Sequence, residues 1–214
     1  MKVTKIVLGN IETNCYIAVD ELSGLGAVID PALYTPSLLE AIKESGMTKL
    51  QYIILTHGHA DHILGVYDLK QEYPEAIVVI GEDDDICLSS PNCSLSSDLG
   101  LEQKPMHADK LVKDGDTFFF GGIEVKVVAT PGHTPGSVCY LFGNTMFSGD
   151  TLFCRTCGRT DLFRGVLTDM QESVKKLGML NGDFLVYPGH GISTTLDAER
   201  KTNSFMRKIE WSLL

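Results

Sequence analysis

The sequence predicts an α/β protein built in layers, two mixed β-sheets with helices outside them. Three observations support this. Short apolar, β-branched runs suited to buried strands alternate with stretches whose apolar residues recur at helical spacing. The order strands, helix, histidine-bearing loop occurs in the first half and again in the second, a rough internal duplication. Five of the six histidines sit in turns just after a strand-like run, where sites form in sheets covered by helices.

Val3 to Leu8, Cys15 to Val19 and Ala27 to Ile29 read as an opening meander of strands, punctuated by Gly, Asn and Asp. Thr35-Pro36 caps and starts a helix; Leu38, Leu39 and Ile42 give it an apolar face, and Gly46 stops it. Tyr52 to Leu55 is a buried strand that delivers Thr56-His57-Gly58-His59-Ala60-Asp61-His62, after which Ile63, Leu64, Val66 and Leu69 predict a helix. Ile77 to Ile80 is another strand. The following Glu82-Asp83-Asp84-Asp85 lacks the spaced ligands and glycine of a calcium loop and reads as the charged start of a helix. Leu88 to His107, rich in Ser, Pro and Asn, is expected to be a mobile segment over or beside the site.

In the second half, Val112 to Asp116 forms a turn. Thr117 to Phe120 then pairs with Ile123 to Val128 through Gly121-Gly122, and Val138 to Phe142 pairs with Thr145 to Phe147 through Gly143-Asn144. Thr168-Asp169-Met170-Gln171 fits a capping box for a helix towards Leu177. A strand at Phe184 to Tyr187 and a closing helix from Thr195 to Arg207 follow.

No linker or charge block divides the 214 residues, and 43% hydrophobic content suffices for a substantial core, so one domain, 1–214, is expected. Without a signal peptide or an apolar run of membrane-spanning length, the chain is expected to be cytoplasmic, away from membranes, with its six cysteines reduced. A net charge of −10 disfavours nucleic acid as a partner, because phosphate binding depends on Lys and Arg.

A lone His-x-His is more often an ordinary loop than a ligand pair. Here three more segments contribute: Thr130-Pro131-Gly132-His133, Ser148-Gly149-Asp150-Thr151 and Tyr187-Pro188-Gly189-His190-Gly191. Imidazole nitrogens with carboxylates suit a borderline divalent ion. His57, His59, Asp61 and His62 already offer four ligands from one loop, too many with the rest for one tetrahedral ion, so two metals are expected. Cys154-x-x-Cys157 has no second Cys-x-x-Cys to complete a tetrathiolate site, and His107 reads as a polar loop residue.

This ordered set resembles the metallo-β-lactamase superfamily, and Gly149-Asp150-Thr151-Leu152-Phe153, Gly158-Arg159-Thr160-Asp161 and Pro188-Gly189-His190-Gly191 are similar to its glyoxalase II-like branch. The resemblance, from about Ile29 to Phe205, implies the topology of an αββα four-layer sandwich. It implies that His57, His59 and His133 hold one metal, Asp61, His62 and His190 another, and that Asp150 bridges them. The implied ions are zinc, with iron or manganese as alternatives. The implied reaction is hydrolysis of a small acyl thioester such as an S-acylglutathione, with Asp61 and Asp150 as catalytic residues positioning or deprotonating the attacking water. Asp30, Thr134 and Ser137 would orient ligands. The chain ends 24 residues after His190, so the helical domain that holds glutathione in that branch is expected to be absent; Ser204 stands where the branch usually has proline. Arg159 and Arg164 are then candidate substrate contacts. Cys157-Gly158-Arg159-Thr160-Asp161 also looks like persulfide dioxygenases of the same fold, whose single iron would take His57, His133 and Asp150. A noncatalytic binding module is a third class, disfavoured because every ligand position is filled.

Overall fold

The computed structural model describes residues 1–210, with side chains through residue 207. In the first sheet, β1 (Lys2–Leu8), β2 (Thr13–Val19) and β3 (Leu25–Ile29) form an antiparallel meander, and β4 (Lys49–Ile54), β5 (Ile77–Gly81) and β6 (Lys110–Val112) continue it in parallel. The second sheet repeats the scheme. β7 (Thr117–Phe120), β8 (Ile123–Ala129), β9 (Val138–Phe142) and β10 (Thr145–Gly149) are antiparallel. After a small hairpin of β11 (Leu152–Phe153) and β12 (Thr156–Cys157), β13 (Leu185–Pro188) joins β10 in parallel and β14 (Thr194–Thr195) closes the edge.

Alternation along the strands sorts side chains into three apolar layers. Tyr16, Ile29, Ile54, Phe118, Tyr140 and Phe147 meet between the sheets. Ile53 and Leu55, flanking Ile54 in sequence, face the other way with Ile17, Val28 and Val78, under α1 (Pro36–Glu44) and α3 (Val66–Glu72). Cys139 and Leu141, flanking Tyr140, pack under α4 (Leu167–Gly178), α5 (Leu196–Thr202) and α6 (Ser204–Glu210). Strands buried on both faces cannot alternate polar with apolar, which is why these runs are continuously hydrophobic. The result is the α/β sandwich of two mixed sheets flanked by helices. Each fully buried large side chain contributes roughly 1.5–3 kcal/mol. The tyrosines in the middle layer are buried with their hydroxyls satisfied, Tyr16 donating to the Pro188 carbonyl (2.6 Å) and Tyr140 to that of Leu55 (3.0 Å).

Several local expectations need correction. The helix after the first histidine loop is two pieces, α2 (Ala60–Ile63) and α3, broken at Gly65, whose N–H donates to the Pro31 carbonyl (2.9 Å) and whose bare Cα lies against that backbone. The acidic run opens a 3-10 helix, Glu82–Leu88. No capping box forms at Thr168: α4 starts earlier, from Val166, without a side-chain cap, and the Thr168 hydroxyl turns to Asp169. The closing helix is split into α5 and α6 at Asn203, which takes extended backbone while its side chain bonds the Thr156 carbonyl and Glu199. The edge strands β6 and β14 and the β11–β12 hairpin, at two or three residues each, are too short to show a period in sequence. The cysteines are not all reduced: Cys87 and Cys93 are disulfide-bonded, the 3-10 helix and the loop after it bringing their Cα atoms to 4.8 Å. Cys15, Cys139, Cys154 and Cys157 are free.

The sheets meet tightly at Gly81, the last residue of β5, where a Cβ would collide with the Gly136 carbonyl oxygen and press on Val138. Gly81→Ala is expected to cost about 2 kcal/mol, within the usual range for overpacking, as a lowered urea midpoint; an unshifted midpoint would show slack at this contact.

Candidate metal centre

Loops from both sheets converge at the strand ends. The Thr56–His62 loop leaves β4 and is tied to the second sheet where Val138 N–H donates to the Thr56 carbonyl (2.9 Å). The His190 loop leaves β13 and is tied to the first sheet by Asn14, whose backbone N–H donates to the Gly189 carbonyl (2.7 Å) and whose amide donates to Pro188 and Gly191 (2.9 and 3.0 Å). At Gly189 any Cβ would strike the Asp150 carboxylate and His62, so only glycine permits the approach.

All seven expected ligand residues come together. His57, His59 and His133 form one trio, Asp61, His62 and His190 another, and His57, His62 and Asp150 a third between them, the donor atoms of each within 4.8 Å of one another. Asp150 places Oδ1 at 3.5 Å from His62 Nε2, and Oδ2 at 3.5 Å from both His133 Nε2 and His190 Nε2. His57 Nε2, His59 Nε2 and Asp150 Oδ1 are buried without a hydrogen-bond partner. Each such atom costs roughly 1–3 kcal/mol. Metal ions coordinated by these imidazoles and carboxylates would remove that cost, so the residues present fit a metal pair.

The imidazoles are aimed by bonds to their other nitrogen, the usual arrangement behind a metal ligand. His62 Nδ1 bonds Asp30 (3.0 Å), His133 Nδ1 donates to the Arg159 carbonyl (2.7 Å), and His190 Nδ1 to that of Glu12 (3.3 Å). Thr56 donates to Asp30 through its backbone (2.8 Å) and hydroxyl (2.7 Å), leaving that hydroxyl 3.2 Å from His57 Nδ1. Asp30 has φ +51, in the left-handed region that few residues other than glycine adopt.

Asp84 braces the ligand turns from a layer further back, and sequence reading assigned it only to a charged helix start. Fully buried, it accepts from Gly58 N–H (2.8 Å), Gly136 N–H (2.9 Å) and the Thr134 hydroxyl (2.6 Å), joining the His57-Gly58-His59 turn to the His133 turn. Thr134 and Ser137 thus act through Asp84 rather than on a ligand, since Ser137 Oγ bonds Thr134. Burial pushes the Asp84 carboxyl up, and its three donors and Arg164 oppose that.

Charge within the cluster is uneven. Burial, then the neighbouring imidazoles, keeps His57 well below its ordinary pKa, and burial with His133 takes His59 down to about 3. Burial also works against a charged His62, yet Asp61, Asp150 and Asp30 overcome it and raise His62 to about 10. For Asp61 burial opposes ionisation, and His62 and His190 outweigh it, holding the carboxyl below its usual range. Asp61 also accepts from the Thr13 hydroxyl (3.2 Å).

The centre opens into a cavity of about 780 Å³ whose lining includes His59, Asp61, His133, Asp150 and His190. The segment after Leu88 lies beside it as expected, contributing Ser94, Leu95, Asp98 and Leu99, and is pinned where Ser94 O accepts from Ala60 N–H (2.8 Å). Arg159 lines the cavity, but its guanidinium is paired with Asp161 through two 2.7 Å bonds. Arg164 is not where a substrate contact was expected: it turns away to Cys93 Sγ (3.1 Å) and the Asp83 carbonyl (3.3 Å). His107 is an exposed partner of Asp85 (2.7 Å), away from the centre.

With this geometry, the chain belongs to the metallo-beta-lactamase superfamily, whose family model matches residues 8–190. Its fold is the metal-dependent hydrolase fold of that superfamily. Among its relatives, a hydroxyacylglutathione hydrolase of Brucella anthropi is 40% identical over 173 residues, covering 80% of this chain and 58% of that one. The crystal structure of the BLEG-1 B3 metallo-beta-lactamase superposes with a TM-score of 0.88 at 32% identity, covering 96% of this chain and 99% of that one. That of ETHE1 from Myxococcus xanthus does so with a TM-score of 0.80 at 28% identity, covering 100% and 92%. Similarity is thus shared among relatives of different names.

Two outcomes test the centre. Because His62 is raised to about 10, it carries a proton at pH 7 in the metal-free protein and must lose it to coordinate. Adding zinc at pH 7 in weak buffer is expected to release at least one proton per chain, read with a pH indicator, and the release should fall by about one proton once pH exceeds His62's own value. Loading without proton release would contradict the assignment. Asp84→Ala leaves two buried N–H groups and a hydroxyl without their acceptor; it is expected to cost at least about 2 kcal/mol in urea unfolding and to speed metal loss to a chelator.

Proposed function

We propose that this protein is a dinuclear metallohydrolase of acyl thioesters. His57, His59 and His133 would hold one ion and Asp61, His62 and His190 the other, with Asp150 shared. When bound, such a pair supplies Lewis acidity towards the acyl oxygen and a water acidic enough to be hydroxide near neutral pH. The chain's own groups do the rest. Asp61, kept ionised by the imidazoles and oriented by Thr13, is placed to align the attacking water by accepting its hydrogen bond. Asp150 keeps the two triads in register. Thr56, Asp30 and Asp84 hold the imidazoles so that little reorganisation accompanies attack. The acyl carbon–sulfur bond then breaks, giving a carboxylic acid and a thiol.

The observation that carries this reading is the convergence of two complete trios with orphaned donor atoms between them. A one-iron persulfide dioxygenase would take only His57, His133 and Asp150 as ligands, with Asp61, His62 and His190 around them; the second complete trio favours the two-metal reading. The Brucella anthropi relative supports a thioester as substrate, since its name specifies a hydroxyacylglutathione.

Metal analysis of the purified protein is expected to give two ions per chain, with thiol release from a simple S-acyl thioester followed by a thiol reagent. Asp150→Ala is expected to lower both metal content and turnover, the latter by at least about a hundredfold. One iron per chain with oxygen uptake on a glutathione persulfide would overturn the proposal, and an Asp150→Ala protein with full metal content would remove Asp150 from its shared position.

A further inference from the structure

The cavity wall has a chemistry of its own beyond the metal ligands. Its apolar side is Ile11, Leu95, Leu99, Phe153, Leu162 and Phe163. Three of these are held open to solvent, Phe163 at 60%, Leu99 at 46% and Ile11 at 45% exposure. Large apolar side chains kept exposed at the mouth of a concave site mark a surface that an apolar ligand covers. They continue inward to His59, Asp61 and Asp150, so the ligand that covers them is one that reaches the metal centre.

The charged side is anionic. Glu12, Asp98 and Asp161 line the cavity, and Arg159 is its one Arg or Lys among the described residues. That guanidinium is already neutralised by Asp161 in a bidentate pair. Arg164 turns to the Cys87–Cys93 sulfurs and the Asp83 carbonyl, and Lys5, which bonds the Gly191 carbonyl at 3.2 Å, keeps its charge but is not part of the cavity lining. A thiol arm bearing two carboxylates and one ammonium, as glutathione does, is anionic overall, and its carboxylates would meet carboxylates where they need cations. Like charges at a binding rim suppress association as effectively as opposite charges promote it.

Resting on the thioesterase reading above, we propose that the substrate is an acyl thioester whose thiol arm is uncharged and largely apolar, and that the Arg159–Asp161 pair together with Asp98 and Glu12 selects against glutathione conjugates. Phe163, Leu99 and Ile11 contribute the contact area, while Asp161 keeps Arg159 from serving as an anion anchor.

The test compares S-acetyl-N-acetylcysteamine with S-acetylglutathione on the metal-loaded protein, two thioesters with the same acyl group and different thiols. The neutral thioester is expected to show a kcat/KM at least about tenfold higher, the scale on which a single-signed cleft alters encounter. Asp161→Asn, which frees the Arg159 guanidinium, is expected to cut that preference at least about threefold; the ratio of the two substrates is the readout, so a general loss of activity does not obscure it. Equal or better turnover of S-acetylglutathione, or a preference untouched by Asp161→Asn, would overturn the inference and leave the thioesterase reading standing. Hydrolysis of neither thioester would overturn both.

Discussion

Everything in this molecule answers to one electrostatic constraint: five imidazoles and two carboxylates are held in a small, largely buried volume. His59 Nδ1 and His133 Nε2 stand 2.8 Å apart, and His62 Nε2 and His190 Nε2 3.4 Å apart. Nitrogen pairs at such distances need a proton or a metal ion between them. Burial drives His57 and His59 towards neutrality, which leaves each ring one nitrogen with a free lone pair. A protein interior does not keep such an arrangement without scaffolding, because each orphaned atom would otherwise turn to find a partner.

The scaffolding is the duplicated sandwich. Each sheet sends a histidine-bearing loop from its strand ends, and each sheet holds the other's loop: β9 donates an N–H to the Thr56 turn, and β2 one to the His190 turn. Two buried carboxylates complete the frame without entering a metal trio. Asp30, in a strained backbone conformation, ties Thr56 to His62, while Asp84 ties the turn bearing His57 and His59 to that bearing His133. Buried carboxylates surrounded by donors specify geometry more than they add stability. Their arrangement therefore belongs with function, and glycines at 81 and 189 mark where the two halves come too close for any side chain.

Chemistry at the centre and recognition at the rim are carried by different residues. The fold is shared with proteins of several names, so by itself it does not define a substrate. The wall outside the metal trios is of another kind, apolar side chains and carboxylates supplied mostly by loops, the least constrained regions of the fold.

The sequence by itself determined the layers, most of the strands and all seven members of the cluster. Continuous β-branched and aromatic runs are what doubly covered strands require, and imidazoles placed after such runs have few other uses in such numbers. Only the tertiary structure decided the rest. Whether Arg159 or Arg164 faces a substrate depends on which carboxylate or sulfur lies within reach, and the structure gives the first to Asp161 and the second to the Cys93 sulfur. The Cys87–Cys93 bond and the bracing role of Asp84 were hidden for the same reason. The bond depends on how the segment after the acidic run folds back, and the bracing on contacts 26 and 50 residues away in the chain. Local pattern records the period of an element and the chemistry of a residue; it carries no record of the neighbours that long-range packing supplies.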